Sequence, residues 1–318
     1  MTQTRSKAGV PLRRLAGPRC VLRPDDELFP QALRVIPRPP KTLYVLGDPH
    51  ALKEGLAVVG ARKATPYGLG SARRFARLAA QRGVVVVSGG ARGCDAAAHE
   101  AALAAGAPTV AFLGGGCDMP YPAEHAGLFE RIAASGGAVV SEHAWDAPPL
   151  PQRFRTRNRL IAGLARATLI VEAGLPSGTF STADEALAAG RDVLVVPGAI
   201  TSPYSRGANR LLYQGATPVV DDDSFSDALF SLFGCLKQES YSEGHAGKGG
   251  VSAHGQQASG PLEAALQAEP LGMEELYALA QRCCGSQHPR SWLMNRLTAG
   301  EKAGLFARYP DGRWGPAV

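Results

Sequence analysis

Long apolar runs are missing from this 318-residue chain. A membrane-spanning helix needs about 20 consecutive, mostly apolar residues, and no such stretch occurs, so no membrane span is expected. The basic start MTQTRSKAGVPLRR leads into no apolar core of the length that a secretory signal has, so export is not expected either. We therefore expect a cytoplasmic protein.

Cysteine is scarce, with six in the chain, and no two follow the C-x-x-C spacing of zinc and redox sites. Reduced thiols are the expected state, and the adjacent residues Cys283 and Cys284 are interpreted as structural. Three consecutive aspartates at 221–223 fit either a metal site or the capped start of a helix, and the cap is the better interpretation. We predict no metal and no cofactor.

Common catalytic and nucleotide-binding motifs are missing too. The chain has no G-x-x-x-x-G-K-[ST] loop and no clean G-x-G-x-x-G after its first predicted strand, which disfavours a P-loop nucleoside triphosphatase and NAD binding in the usual mode. It also lacks G-x-S-x-G, H-E-x-x-H and kinase motifs. Cys94 and His99 lie five residues apart on one predicted helix, so His99 is interpreted as a packed residue rather than a catalytic base. We predict that the protein is not an enzyme.

Short apolar runs rich in β-branched residues recur through the middle of the chain. They are LAVVG (56–60), VVVVS (84–88), TVAFL (109–113), AVVS (138–141), TLIVE (168–172), VLVVP (193–197) and TPVV (217–220). Because the runs do not alternate with polar residues, both faces of each strand should be buried. Alanine-rich, helix-length segments lie between most of them, and two of these end at Gly83 and Gly106. We predict an α/β fold with an extended Rossmann-like, doubly wound, mostly parallel sheet.

Composition divides the chain into four parts. Residues 1–42 form a proline- and arginine-rich lead-in arm, 43–234 the Rossmann-like domain, 235–260 a flexible polar linker and 261–318 a small winged-helix domain. The last part is predicted as three helices and a hairpin with PDG at its turn. Its basic residues include Arg290, Arg296, Arg308 and Arg313. Such a domain contacts either DNA or another protein, and both stay open.

Glycine-rich turns follow several of the predicted strands. The exits include VGARK (59–63), SGGARGCD (88–95) and EAGLPSGT (172–179). Glycine lets the backbone approach a ligand closely, although a tight strand-to-helix turn also uses glycine for its own geometry. Ligands of such sheets bind beyond the carboxyl ends of the strands. Ser177, Gly178 and Thr179 open a helix there, and its N–H groups suit a phosphate.

Arginine is concentrated in the segment RFRTRNR, at every second position. These residues are Arg153, Arg155, Arg157 and Arg159. We predict an arginine-rich loop that leads into a short helix. Residues 147–171 contain no acidic residue, so the arginines are expected to lack local partners, whereas the alternative is a solvated, ion-paired loop. Together with a net charge of +6, this favours a polyanionic partner, and Phe154 among the arginines suits the stacked bases of a single strand.

Four blocks of the chain resemble a known family in order and spacing. They are VGARKATPYG (59–68), VSGGARGCDAAAHEAALAAGAPTVAFLGGGCDMPYPAEHAGL (87–128), FRTRNRLIAGLARATLIVEAGLPSGTFSTADEALAAGRDVLVVPG (154–198) and GANRLLYQGA (207–216). Over residues 56–220 the chain resembles the DNA-processing protein A family, also called DprA or Smf.

The resemblance implies a single-stranded DNA-binding recombination mediator with no catalytic residue. Such proteins self-associate as homodimers, protect incoming DNA and load the RecA recombinase onto it during natural transformation. The residues expected at the DNA, from these motifs and the arginine pattern, are Arg62, Ser88, Gly89, Gly90, Arg153, Phe154, Arg155, Arg157, Asn158, Arg159, Gly174, Ser177, Gly178 and Thr179.

Two other functions stay open. One is a nucleotide-binding or nucleotide-hydrolysing Rossmann enzyme of the phosphoribohydrolase-like group, whose catalytic turn resembles P-G-G-x-G-T-x-x-E. Here Thr182 stands where the catalytic glutamate would be, which argues against hydrolysis. The other is a protein-interaction scaffold in which the winged helix does most of the work.

Overall fold

The computed structural model describes residues 13–234, 262, 265–266, 271–283, 289–302, 305–308 and 313–316. Residue contacts divide the chain into two compact units, Met1–Tyr241 and Ser242–Val318. The linker predicted over 235–260 and the wing turn at 310–312 lie outside the described residues, and the four-part division stays a prediction. Every helix in the described part is too short or too polar to cross a lipid bilayer.

A nine-stranded sheet forms the centre of the first unit. Its strands are β1 (Arg19–Leu22), β2 (Leu43–Gly47), β3 (Gly55–Val59), β4 (Val86–Ser88), β5 (Thr109–Phe112), β6 (Ala138–Ser141), β7 (Ala165–Ile170), β8 (Asp192–Val195) and β9 (Thr217–Pro218). The α-helices between residues 13 and 234 are α1 (Gln31–Arg34), α2 (Pro66–Gln81), α3 (Cys94–Ala104), α4 (Ala126–Ala134), α5 (Pro151–Leu164), α6 (Thr179–Ala188), α7 (Arg206–Tyr213) and α8 (Asp222–Phe233).

The strands follow the order β1-β2-β6-β5-β4-β3-β7-β8-β9. All pairs from β6 to β9 are parallel, whereas β1 pairs with β2 and β2 with β6 in antiparallel fashion. The predicted fold class is therefore confirmed. The two antiparallel strands at the β1 edge were not predicted, because both lie at or before the start of the segment in which strands were sought.

Helices cover both faces of the sheet, as the unbroken apolar runs predict. Along β3, Leu56 and Val58 pack with α2, α3 and α8, whereas Ala57 and Val59 pack with α5, α6 and α7 on the other face. The short apolar strands are thus buried on both sides and position their carboxyl ends rigidly at one edge.

The direction of strand addition reverses beside β3. From β3 the chain adds β4, β5 and β6 in one direction, and α5 then carries it back to β7 on the other side of β3. A crevice opens at such a reversal because the two adjoining connections leave toward opposite faces of the sheet. The carboxyl ends of β3 and β7 are therefore the expected place for a ligand.

Local capping signals in the sequence act as predicted. Helices α2 and α3 end shortly before Gly83 and Gly106. Asp221 accepts a hydrogen bond from the backbone N–H of Ser224 at 2.7 Å and caps α8. The helix-cap interpretation of the three aspartates is confirmed.

A largely buried ion pair attaches β1 to the rest of the first unit. The guanidinium of Arg19 donates to both carboxylate oxygens of Asp118, at 2.6 and 3.0 Å, and lies 4.6 Å from the ring centroid of Trp145. The side chains of the pair are only 18% and 10% exposed. Bidentate geometry with little water around it makes this pair stronger than an ordinary surface pair.

The second unit contains two long helices and a small sheet among its described residues. They are α9 (Met273–Cys283), α10 (Pro289–Lys302), β10 (Phe306–Arg308) and β11 (Trp314–Pro316). Strands β10 and β11 pair in antiparallel fashion, and Leu276, Leu293, Leu297, Phe306 and Trp314 share one apolar core. The described part of this unit thus contains two of the three predicted helices, followed by the predicted pair of strands, whereas most of the first predicted helix, over 261–268, lies outside the described residues.

Replacing Arg19 by leucine should lower the free energy of unfolding by about 3 kcal/mol, because Asp118 is left nearly buried without its partner. Urea unfolding followed by circular dichroism measures the change. Arg13→Leu is the matched control, since its contact with Glu130 is 3.4 Å long and the arginine is 56% exposed. The control should change stability by less than about 0.5 kcal/mol, and equal losses in both variants would contradict the prediction.

His99 is a packed core residue, as its alanine-rich helix predicts. Its Nδ1 lies 2.8 Å from Thr109 Oγ1, whose own hydroxyl donates to the Val86 carbonyl at 2.6 Å. Nδ1 must therefore carry the proton and donate it. Its Nε2 is buried and has no hydrogen-bond partner in the described part of the chain. Burial, with a smaller contribution from nearby positive charges, lowers the pKa of His99 to about 3.

This buried histidine should make the protein less stable in mild acid. The unfolded chain takes up a proton near pH 6.5 and the folded chain only near pH 3, so the contribution of His99 is complete above pH 6.5 and is lost as the pH falls toward 3. By pH 5 the loss should reach about 2 kcal/mol. Urea unfolding at several pH values measures it.

His99→Gln removes the titrating group and should flatten that part of the pH profile. The exposed His50, changed to glutamine, is the control and should leave the slope in place. A wild-type profile that is flat between pH 7 and pH 5 would show that the buried ring does not stay neutral.

Candidate functional site

A cleft of about 510 Å³ opens at the carboxyl ends of β3 and β7, where strand addition reverses. The predicted residues that line it are Arg62, Phe154, Arg155, Arg157, Asn158, Gly174, Ser177, Gly178 and Thr179. Lining residues that sequence reasoning did not single out as ligand contacts include Lys63, Ala91, Asp95, Thr182 and Tyr204. The fold thus brings together the exit of β3, the first half of α5 and the start of α6.

Three cationic side chains surround this cleft at the surface. Arg62 and Lys63 follow β3, and Arg155 lies on the first half of α5; all three are exposed. In residues 13–234, none of them forms an ion pair. The cleft therefore presents positive charge that the protein does not neutralise.

Phe154 is the aromatic centre of this surface. The guanidinium groups of Arg62 and Arg157 lie 5.8 and 5.9 Å from its ring centroid. Its ring also packs closely on Gly114 of the loop after β5, where an added Cβ would come within 2.8 Å of the ring. A side chain larger than hydrogen at 114 would displace the ring, so this glycine makes room for it.

The arginine segment is helical, which corrects the prediction of a loop. Helix α5 begins at Pro151, so Arg153, Arg155, Arg157 and Arg159 all belong to it. Pro151 at the first helical position and the apolar stripe farther along explain the early start. On a helix, residues two apart point in nearly opposite directions, so successive arginines of this series have different environments.

Arg157 points into the protein and is 4% exposed. Its guanidinium donates to the Gly89 carbonyl at 2.7 Å and to the Phe112 carbonyl, and so joins α5 to the ends of β4 and β5. Burial lowers the pKa of Arg157 to about 10, although the nearby Asp95 carboxylate opposes the change. The group therefore stays charged at neutral pH and stands next to the cleft as a buried cation.

Asp95 is the anion that accompanies this cation. Its carboxylate accepts hydrogen bonds from the backbone N–H groups of Gly89 and Ala91, at 3.2 and 3.3 Å. Burial raises the pKa of Asp95, whereas Arg157 and the two amides act in the opposite direction. The turn after β4 is therefore held from both sides, by a carboxylate on its N–H groups and by a guanidinium on its carbonyl.

The predicted residues Ser88, Gly89 and Gly90 belong to that held turn. All three are buried, and the Ser88 hydroxyl donates to the Val58 carbonyl at 2.6 Å. The geometry thus does not support direct contact with a ligand, because the N–H of Gly89 is already occupied by Asp95. An added Cβ at Gly89 would meet the Arg157 guanidinium, which explains the glycine.

Arg159 has a structural partner, which corrects the expectation that the arginines lack one. Its guanidinium donates to both carboxylate oxygens of Glu142, at 2.9 and 2.6 Å, and to the carbonyl of Arg38 at 2.8 Å. The expectation considered only residues 147–171, which contain no acidic residue, whereas Glu142 lies a few residues earlier in the chain. Arg153 in turn donates to the Pro148 carbonyl at 2.8 Å and does not line the cleft.

The turn before α6 reaches the cleft as predicted. Helix α6 begins at Thr179, and Gly178 at its cap position is exposed and has no capping side chain. The hydroxyl of Ser177 accepts a hydrogen bond from the N–H of Thr179 at 3.2 Å. The start of α6 has no acidic residue in its first turn and lines the same cleft as the cationic side chains, so its partial positive charge adds to theirs.

A second helix start, at α2, is closed to ligands. The backbone N–H and the hydroxyl of Thr65 donate to the Glu172 carboxylate at 2.8 and 2.6 Å. Glu172 is 3% exposed and lies against Gly68, so the carboxylate occupies the position where a Rossmann protein usually holds a phosphate after its first strand. Of these two helix starts, the α6 start is the one that no carboxylate occupies in the described part of the chain.

Arg157→Met should lower the free energy of unfolding by about 3 kcal/mol, because Asp95 and two carbonyls lose a buried partner. Arg155→Met on the same helix is the matched control and should change stability by less than about 0.5 kcal/mol, because that side chain is exposed. Chemical unfolding measures both. If the two variants unfold alike, Arg157 does not hold the strand ends together.

Comparison with known proteins places this cleft in a family context. The family model described as DNA recombination-mediator protein A matches residues 20–230. Protein Smf of Escherichia coli is 42% identical over 206 residues, which cover 64% of this chain and 55% of that protein. The chain spans about half the length of several curated relatives that it matches, this one included.

Two solved structures are similar as well. The X-ray structure of DNA processing protein A from Streptococcus pneumoniae has a TM-score of 0.61 at 34% identity, covering 65% of this chain and 72% of that one. DNA processing protein A from Helicobacter pylori, whose structure is described with a single-stranded DNA binding mode, has a TM-score of 0.61 at 32% identity, covering 68% of this chain and 97% of that one. Because the family match covers most of the chain and contains the whole cleft, the chain belongs to the DNA recombination-mediator protein A family.

Proposed function

We propose that this protein binds single-stranded DNA in the cleft between β3 and β7, without a metal or cofactor. The observation that carries the proposal is the unneutralised positive charge of Arg62, Lys63 and Arg155 around the half-buried ring of Phe154. Guanidinium and ammonium groups bind backbone phosphates, and aromatic rings bind bases whatever their sequence. The single-stranded DNA binding of the Helicobacter pylori protein supports the same assignment.

The arrangement divides the predicted residues into two roles. Arg62, Arg155 and Asn158 line the open cleft and would contact DNA, together with Lys63. The turn from Gly174 to Thr179 would hold one phosphate at the start of α6. The second role would be structural. Arg157, Arg159 and the turn at 88–90 would act by holding α5 and the strand ends in place.

We propose further that the protein is not a hydrolase. Thr182 lines the cleft at the position where a phosphoribohydrolase-like enzyme would carry its catalytic glutamate. Asp95 is the acidic residue among the lining side chains described, and its carboxylate is committed to the N–H groups of Gly89 and Ala91. An acid that is held in this way is poorly placed to activate water on a nucleotide.

The family resemblance supports a wider role for the DNA-bound protein. We propose that it acts as a homodimer in the cytoplasm, protects incoming single strands and loads the RecA recombinase onto them during natural transformation. Loading requires that the mediator bind the strand, so variants that lose DNA in the cleft should also lose RecA loading.

Replacing both Arg62 and Lys63 by alanine should raise the Kd for a single strand roughly tenfold to a hundredfold, because two phosphate contacts are lost. The slope of log K against log salt should become shallower by about 1.4. Fluorescence anisotropy between about 50 and 200 mM salt measures both quantities.

The double variant Arg73→Ala and Arg77→Ala is the matched control, because these exposed residues of α2 carry the same charge and do not line the cleft. It should bind within about twofold of wild type. Duplex of the same sequence should bind more weakly than the single strand. Equal affinity for duplex, or equal losses in the two double variants, would rule out a specific cleft for single strands.

A further inference from the structure

Tyr121 presents an aromatic ring at the surface beside the cleft. The chain from residue 111 to 120 is buried throughout, and Tyr121 emerges from it with 48% of its surface exposed. A single exposed aromatic side chain is common on protein surfaces. What distinguishes this one is the group of residues that it touches.

The Tyr121 ring packs against Phe154, with ring centroids 5.3 Å apart and planes inclined at 56°. Phe154 is also approached by Arg62, by Arg157 and by the backbone at Gly114. Cations, the loop after β5 and a second ring therefore surround Phe154, which is half-buried and offers a base less exposed surface than Tyr121 does. Tyr121 is the outer ring of the pair and still has half of its surface available.

From this geometry we infer that Tyr121 is a stacking platform for an unpaired nucleobase just outside the cleft. The inference rests on the proposed binding of single-stranded DNA and extends it by one base position. Tyrosine suits this role because its ring is apolar on both faces, while its hydroxyl tolerates water at an exposed site. Stacking reads no hydrogen-bond pattern, so the position accepts any of the four bases.

The neighbouring charges suit a strand that passes over this ring. Arg62 lies 5.8 Å from the Phe154 ring and lines the cleft, so a phosphate held by Arg62 would be followed along the strand by a base near Tyr121. Arg92 is exposed and has an acidic partner, Glu124, at 2.5 Å, whereas Arg62 forms no ion pair in residues 13–234. The strand would leave the cleft across Tyr121 after its phosphate contact at Arg62.

The test measures Kd for a single strand by fluorescence anisotropy in the full-length protein, with intact oligonucleotides and with oligonucleotides that carry one abasic site at each successive position. Tyr121→Leu keeps an apolar side chain against Phe154 but removes the stacking surface. It should raise Kd about tenfold, whereas Tyr121→Phe should bind within about twofold of wild type. In wild type, one abasic position should weaken binding about tenfold, and in Tyr121→Leu that penalty should disappear.

Phe230→Leu is the matched control, since that ring is 52% exposed on α8 and does not line the cleft. It should bind like wild type and keep the abasic penalty. If Tyr121→Leu also keeps the penalty, the tyrosine only supports Phe154 and the inference is overturned. If Tyr121→Leu binds like wild type while the Arg62 and Lys63 double variant does not, the stacking position fails and the cleft stands. If wild type does not bind single strands, the proposed function fails first.

Discussion

The buried guanidinium of Arg157 joins the parts of the molecule on which the cleft depends. It comes from α5, bonds the carbonyls at the ends of β4 and β5, and lies close to Asp95 at the start of α3. A charge with so little water around it is stable only when such partners surround it. Because Arg157 holds α5 across the strand ends, Phe154 and Arg155 on the same helix are placed at the cleft.

The starts of α2 and α6 lie at this edge and differ in whether a carboxylate occupies them, which affects what the cleft can bind. Glu172 fills the start of α2, which a nucleotide phosphate would use, whereas the first turn of α6 contains no acidic residue. Arg62 and Lys63 add positive charge at the exposed surface and not inside an enclosed pocket. A shallow cationic rim of this kind suits a chain of phosphates that passes along it better than one small enclosed ligand.

Much of this site could be anticipated from residue types along the chain. The exits of β3 and β7, the aromatic residue among arginines and the start of α6 all line the cleft, because parallel strands place their carboxyl ends at one edge. Lys63 and Tyr204 also line it and were missed. Lys63 follows Arg62 directly, so the same argument applied one residue farther would have included it. Tyr204 lies after β8, and only the folded arrangement of that loop brings it near.

The chain order of apolar runs, alanine-rich segments and glycines was enough to establish the doubly wound sheet, its buried strands and the edge at which a ligand would lie, because these follow from local periodicity and strand direction. The environments of the individual arginines could not be predicted in that way. Arg155 is open to solvent, Arg157 is buried beside Asp95, and Arg159 is paired with Glu142. Alternate positions of one helix face different neighbours, and those neighbours come from strands and loops that are distant in the chain and meet α5 only after folding.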